Sequence, residues 1–259
     1  MFFASPGTYK ACGLFTSGHL FLTLITISSI IILLKFTNEK QNIKRIIKAC
    51  TIFLWIFEFI IIGFKIFTGG LENINNYVPL YYCSILLYAG LLSSFAGGKL
   101  KRIGDVFLAT GGIVGGVLYL IYPITSIATY PIFHLVSVHS FIFHGIMIYL
   151  GMLINLTNYI KLERKDIKYY FFIISVVAFV SYIVNQIFDS NLMFISKNFP
   201  GNIVINTLYN ASGKYFPLIM VLGQATLPFY IVYGFRKFKN ENISINEKSN
   251  EFVLCNVNK

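Results

Sequence analysis

The sequence has little charge. Only 12% of its 259 residues are Asp, Glu, Lys or Arg, and 56% are hydrophobic, whereas a soluble domain carries roughly 25% charged residues. The mean hydropathy is +0.70. A chain with so few charges cannot cover a water-exposed surface with them, so the composition predicts a polytopic membrane protein.

Cysteine is also sparse, and the four cysteines are scattered. They form no C-x-x-C pair and stand at no Cys/His spacing that is typical of zinc. We therefore expect neither a disulfide framework nor a bound metal or other cofactor. Residues 1–19 lack the basic segment and apolar run of a signal peptide, so we expect insertion through the first helix. The cysteines are Cys12, Cys50, Cys83 and Cys255.

Long apolar runs dominate the chain. Spanning a bilayer takes about 20 mostly apolar residues as a helix, and seven segments qualify. They are apolar on all sides and lack strict alternation, which favours helices over barrel strands. We predict an all-α, polytopic membrane bundle of seven transmembrane helices over residues 1–235, followed by a mobile cytoplasmic tail over 236–259. The predicted spans are 18–37, 47–67, 77–96, 102–122, 134–156, 168–188 and 214–235.

The basic residues are distributed unevenly between the junctions. Seventeen of the 21 lysines and arginines fall in alternate junctions or in the tail, and four fall on the other side. Because cytoplasmic loops carry the excess of Lys and Arg, this predicts a multi-pass cell-membrane protein with its N-terminus outside and its C-terminus inside. Such short basic loops meet anionic lipid headgroups. We expect membrane lipids as partners and no nucleic acid; the pattern fixes no oligomeric state.

A glycine-rich run, GGIVGG at 111–116, lies in the fourth predicted span. Small residues spaced by four allow close helix packing in lipid. Since the run is buried in the membrane, we interpret it as a packing surface and not as a phosphate loop.

Polar side chains inside the spans are costly, so their depth is informative. At about 1.5 Å per residue, Cys83 is expected roughly 9 Å below the outer face, and His144 roughly 15 Å below it. The other polar residues also fall in the outer half or the middle, which predicts a polar cavity that opens outward. Ordinary packing and interhelical hydrogen bonds are the alternative for each of them. The set comprises His19, Glu58, Cys83, His139, His144, Asn185 and Gln224.

Six features in order resemble the YwaF-type integral membrane proteins, bacterial relatives of a eukaryotic acyltransferase branch that remodels ether phospholipids. One is an acidic residue in the second helix, Glu58. Tyr81 stands where the family block has a histidine, and Leu192 where it has a tyrosine. The other five features are GLFTSGHL at 13–20, VPLYYCSI at 78–85, ATGGIVGGVLYLIYP at 109–123, HSFIFHGIMI at 139–148 and SNLMFISKNFPG at 190–201.

The resemblance implies a lipid acyltransferase with Cys83 as nucleophile and His144 as general base and acid. A thiol needs a neighbouring base to ionise at neutral pH, and Glu58 is a candidate to orient that base. Without an acyl acceptor the same groups would act as a hydrolase. The predicted substrate-binding residues, some of which could polarise the carbonyl oxygen, are His19, His139, Asn185, Asn191 and Gln224.

A second hypothesis assigns the same cavity to a transporter or receptor. Glu58, His144 and Gln224 would then bind a solute or relay a proton. Transporters usually show repeated halves, and no repeat is visible between the two halves of this chain.

Overall fold

The computed structural model describes residues 1–37, 42–69, 74, 77–199 and 202–257. Every regular element in these ranges is helical, which confirms the predicted fold class. Lys40 and Lys259, two of the residues counted on the cytoplasmic side, lie outside them. The helices are α1 (Ser17–Phe36), α2 (Ile43–Gly69), α3 (Ile85–Phe95), α4 (Gly98–Ala109), α5 (Gly111–Ile121), α6 (Leu135–Leu156), α7 (Ile167–Phe188), α8 (Ile203–Ser212) and α9 (Phe216–Val257).

The centre of the bundle consists of α6 and the α4–α5 pair. Among the described residues, six helical stretches are long and apolar enough to cross a membrane, and α3 is a shorter apolar helix. In the most apolar part of each stretch, 78% of residues in α4–α5 and 72% in α6 are buried, against 22–33% in α1, α2, α7 and α8–α9. The latter helices therefore form the outer ring, with most of their apolar surface toward lipid.

The glycine-rich run packs α5 directly against α6. A Cβ at Gly112 would lie 3.2 Å from the Met147 carbonyl oxygen, and one at Gly116 would lie 3.0 Å from the His144 carbonyl oxygen. Only a hydrogen fits comfortably at these distances, so the predicted packing role of GGIVGG is confirmed.

The third predicted span is only partly helical, because α3 begins at Ile85 instead of near residue 77. Pro79 has no N–H and disfavours helical backbone at Val78. Backbone that is not helical must be satisfied by protein within a membrane. Here the Tyr88 hydroxyl donates to the Pro79 carbonyl at 3.0 Å, and the Ser181 hydroxyl donates to the Leu80 carbonyl at 3.0 Å.

The fourth predicted span is broken at Thr110, where ψ is −74°. The Asn155 side chain of α6 donates to the Ala109 carbonyl oxygen at 2.7 Å and thereby satisfies an acceptor that the break releases. A further helix that the hydropathy pattern did not predict, α8, precedes α9. The turn at Gly213, where φ is +52°, separates the two.

The alternate basic junctions meet at one end of the bundle. Arg102 forms an ion pair with Asp166 and donates to the Lys161 carbonyl oxygen at 2.6 Å, and Arg236 donates to the Ile160 carbonyl oxygen at 3.3 Å. We call this the basic end and its opposite the outer end. Which side of the membrane each end faces stays a prediction. So does the mobile tail, although α9 continues to Val257.

Candidate functional site

Cys83 lies near the middle of the bundle, two residues before α3. Since α3 has 11 residues, it is about 16 Å long at ~1.5 Å per residue, roughly half of a hydrocarbon core of ~30 Å. The Trp55 indole, near the centre of α2, donates to the Leu87 carbonyl oxygen at 3.2 Å. The chain reaches Cys83 as extended and turn backbone rather than as helix, and its depth below the outer face stays a prediction.

The Cys83 side chain is a free, half-buried thiol at the start of a helix. A Cβ at Gly115 of α5 would lie 2.8 Å from the Tyr82 ring, so the residue before Cys83 packs against α5 beside Gly116. The thiol can act as a nucleophile only where a base is within reach.

His144 has one ring nitrogen in use and one free. Its Nδ1–H donates to the Ser140 carbonyl oxygen at 2.7 Å, so Nε2 carries the lone pair in the neutral ring. This nitrogen is buried and has no hydrogen-bond partner among the described residues. An imidazole in this tautomer can accept a proton at Nε2.

Tyr119 is a neighbour of the imidazole, and sequence reasoning did not select it. Its ring is stacked on His144 with ring centroids 3.5 Å apart and an interplanar angle of 8°. Its hydroxyl is hydrogen-bonded to Ser126 and interacts with Ser140. The available signal was its position three residues after Gly116, on the α5 face that packs against α6.

The thiol and the imidazole are not hydrogen-bonded to each other within the described part of the chain. Tyr82, the residue before Cys83, packs against Gly115 of α5, and His144 stacks on Tyr119 of the same helix. The fold thus brings the Cys83 segment and His144 to one helix, α5. The arrangement is open, without a closed dyad.

Glu58 pairs with His139 and not with His144. Its Oε2 lies 3.3 Å from His139 Nε2, an ion-pair distance without hydrogen-bond alignment. The two side chains are 15% and 9% exposed, and Phe57 packs edge-on against the imidazole with a centroid distance of 4.7 Å. The predicted orienting role of Glu58 toward His144 therefore has no contact to support it among the described residues.

His19 ties the start of α1 to the end of α5. The Phe15 backbone N–H donates to its Nδ1 at 3.1 Å, and its Nε2–H donates to the Leu120 carbonyl oxygen at 2.9 Å. Both ring nitrogens are in use, so this arrangement leaves His19 no free polar atom for a substrate.

Three predicted amides hold the segment between α7 and α8. Asn185 Oδ1 accepts from the Ser190 hydroxyl and the Leu192 N–H, both at 2.7 Å. Asn191 Oδ1 accepts from the Ser196 and Lys197 N–H groups at 3.1 and 3.0 Å. Gln224 of α9 donates to the Met193 carbonyl oxygen at 2.9 Å, and its buried Oε1 has no partner in the part of the chain that the structure describes. These contacts agree with the alternative given above, in which the polar side chains form hydrogen bonds within the protein and do not bind a substrate.

A groove of about 430 Å³ lies at the outer end, where the N-terminal segment meets α1 and the α5–α6 loop. None of the predicted site residues lines this groove, so it is distinct from the predicted cavity. The lining residues are Met1, Tyr9, Lys10, Cys12, Thr16, Ser17, Gly18, Pro131 and Ile132.

Comparison with known proteins places the chain in a family. The sequence model of the TMEM164 family matches residues 14–233. The chain belongs to the TMEM164 family. The match includes α1 to α8, the first part of α9 and every predicted site residue, so this family member is a multi-pass integral membrane protein. No curated protein and no solved structure matches it.

Proposed function

We propose that this TMEM164 family member is a cysteine-dependent enzyme that transfers acyl groups between membrane lipids, or that hydrolyses them when water is the acceptor. The observation that carries the proposal is the buried Nε2 of His144, which has no partner among the described residues, in a side chain that packs on α5 as does Tyr82, the residue before Cys83. The resemblance to YwaF-type proteins, relatives of an ether-phospholipid acyltransferase branch, supports the same assignment.

The first half-reaction forms an acyl-enzyme. Cys83 gives its proton to His144 Nε2 and its sulfur attacks the ester carbonyl carbon, so a C–S bond forms. The ester C–O bond then breaks, and the leaving lysolipid oxygen takes the proton from His144. The products are a thioester on Cys83 and a lysolipid, and His144 is neutral again.

The second half-reaction consumes the thioester. The hydroxyl of a lysolipid, or water, gives its proton to His144 Nε2 and attacks the thioester carbonyl carbon. The C–S bond breaks and the Cys83 sulfur recovers the proton from His144. The cycle needs no oxidant, reductant or net proton change when the acceptor is a lysolipid.

The thiol must approach His144 Nε2 for this chemistry. Hydrogen bonds between catalytic groups are often long before substrate binds and shorten in the complex. Cys83 stands on backbone outside the regular helices, between Pro79 and Ile85, so closing the distance does not require a helix to move. Approach of Cys83 on lipid binding is therefore part of the proposal.

The deciding experiment uses the full chain in liposomes that contain a radiolabelled diacyl phospholipid and an unlabelled lysolipid. We expect Cys83→Ser to abolish label transfer and free fatty acid release while it inserts normally. The matched control is Cys50→Ser, which removes a free, half-buried thiol on α2. Full turnover by Cys83→Ser, or none by the wild-type chain with any lipid pair, contradicts the enzyme.

A second candidate is supported by the Glu58–His139 pair. A carboxylate inside a transmembrane helix, paired with an imidazole other than His144, suits proton or solute binding. If the chain is a transporter, Glu58→Gln abolishes uptake into liposomes and Cys83→Ser does not. If it is an acyl-transfer enzyme, Cys83→Ser lowers lipid turnover more than Glu58→Gln does.

A further inference from the structure

We propose that Tyr119 is the positioning residue for His144, and that its ring fixes the imidazole so that Nε2 stays available to the Cys83 thiol. The inference rests on the proposed function, since it assigns a role within the same site. It adds a residue that neither the sequence pattern nor the family match selects.

Two restraints act on the imidazole. The Ser140 carbonyl oxygen holds one edge through Nδ1, and the Tyr119 ring covers one face with a centroid distance of 3.5 Å and an angle of 8°. The imidazole turns about its Cβ–Cγ bond, and the Nδ1 hydrogen bond opposes that turn at one edge only. A parallel stack at van der Waals contact opposes it over the whole face, because turning the imidazole would drive its edge into the tyrosine ring.

Tyr119 is itself held firmly. It is 8% exposed, its ring packs edge-on against Phe141 with centroids 5.6 Å apart, and its hydroxyl is hydrogen-bonded to Ser126 in the α5–α6 loop. A residue fixed at both its ring and its hydroxyl can impose its orientation on a neighbour.

Comparison with two other histidines argues against simple aromatic packing. His134 also stacks on a tyrosine, Tyr130, with a centroid distance of 4.3 Å, but both of its ring nitrogens are hydrogen-bonded to backbone. His19 likewise uses both ring nitrogens. At His144 the stack coincides with a ring nitrogen that has no partner among the described residues. His139 Nε2 also lacks a hydrogen bond, but it faces Glu58 Oε2 at 3.3 Å and its ring is packed edge-on by Phe57. A stacked ring and an open nitrogen therefore coincide at His144, as a positioned base requires.

The test measures how fast a permeable maleimide alkylates Cys83 as a function of pH, in the full chain in liposomes with the other three cysteines replaced by serine. A positioned base commonly contributes ~10²-fold or more. We expect Tyr119→Leu to lower the neutral-pH rate by roughly tenfold or more and to give the profile of His144→Gln. Tyr119→Phe, which keeps the ring, should stay within about threefold of wild type.

The matched control is Tyr149→Leu, which removes another buried tyrosine of the bundle, one that donates to Thr37. It should leave the alkylation profile unchanged. A wild-type profile in Tyr119→Leu, or equal losses in the Phe and Leu variants, overturns the positioning role without touching the enzyme. A proposed function that is itself wrong gives a different result: Cys83→Ser retains lipid turnover and His144→Gln does not change the alkylation profile.

A measurement on the wild-type chain covers the case in which Tyr119→Leu does not insert. Nitrogen-15 spectra of labelled histidine should show His144 as a single tautomer with Nε2 unprotonated. Exchange of His144 between two tautomers would overturn the proposal.

Discussion

The predicted site residues differ in whether their polar atoms are already in use. His19 and Asn191 are hydrogen-bonded to the backbone, whereas His144 keeps a free ring nitrogen. A polar residue in a span is equally costly in either case, so hydropathy and depth cannot separate the two. Tertiary contacts between helices make the distinction.

Asn185 provides a prediction at this scale. Asn185→Ala removes a fully buried amide and leaves the Leu192 N–H without its acceptor. Because an unsatisfied buried group costs about 1–3 kcal/mol, we expect a clearly lower midpoint of thermal unfolding in detergent. Asn210→Ala, on the exposed surface of α8, is the control and should leave the midpoint unchanged. Equal midpoints for the two variants would contradict the structural role of Asn185.

Single residues also show how far sequence reasoning reached. The Nδ1 hydrogen bond of His144 is local, because its acceptor is the backbone carbonyl of Ser140, four residues earlier in the same helix. The partner of Glu58 was not visible, because α2 and α6 are far apart in sequence and no local spacing relates Glu58 to His139. Tyr119 was missed for the same reason: its ring meets His144 only through helix packing.

At the scale of helices, the tightest approach joins α3 and α4. A Cβ at Gly104 would lie 2.3 Å from the Ala89 carbonyl oxygen and 2.6 Å from the Ser93 nitrogen, both backbone atoms. Gly63 is also helical, and a Cβ there would meet nothing within 4 Å. These two glycines form a matched pair.

We expect Gly104→Ala to destabilise the bundle by about 1–3 kcal/mol, because overpacking forces the helix backbones apart. Gly63→Ala should be neutral. The measurement is unfolding in detergent, followed by circular dichroism. A neutral Gly104→Ala would mean that α3 and α4 are not in contact at this point.

Hydropathy predicted where apolar helices lie but not where they stop. The predicted ends of the first, fifth and sixth spans agree with those of α1, α6 and α7 within one residue. The third and fourth spans were predicted as single helices because a 20-residue average does not register one Pro or one Thr. Their ends follow from local chemistry. Pro79 lacks an N–H, and the Asn155 side-chain amide donates to the Ala109 carbonyl oxygen that the break at Thr110 leaves free.

At the scale of the whole molecule, the charge count grouped regions that the fold brings together. The 3–4 junction, the 5–6 junction and the start of the tail meet through Arg102, Asp166 and Arg236, and the side of the membrane that they face stays a prediction. Alternation of charge requires only the order of spans along the chain, so it survives errors in span boundaries. Contacts between spans are not contained in that order, which is why the fold was more predictable than the site.

Orientation can be checked by single-cysteine labelling. In a cysteine-free background, Ala128→Cys lies on the exposed outer-end loop and Lys99→Cys lies at the basic end. We expect a membrane-impermeant maleimide to label Ala128→Cys in intact cells and Lys99→Cys only after permeabilisation. The reverse pattern would invert the predicted topology.

The half-length α3 has a consequence for biosynthesis. Eleven helical residues cannot by themselves bridge a hydrocarbon core of ~30 Å, and the carbonyls of the preceding extended stretch are satisfied partly by Ser181 of α7. The third segment therefore leaves the ribosome well before α7, which it needs as a partner in lipid, has been made. Some of this segment must wait in the translocon, or at the membrane surface, until the second half of the polypeptide has been made.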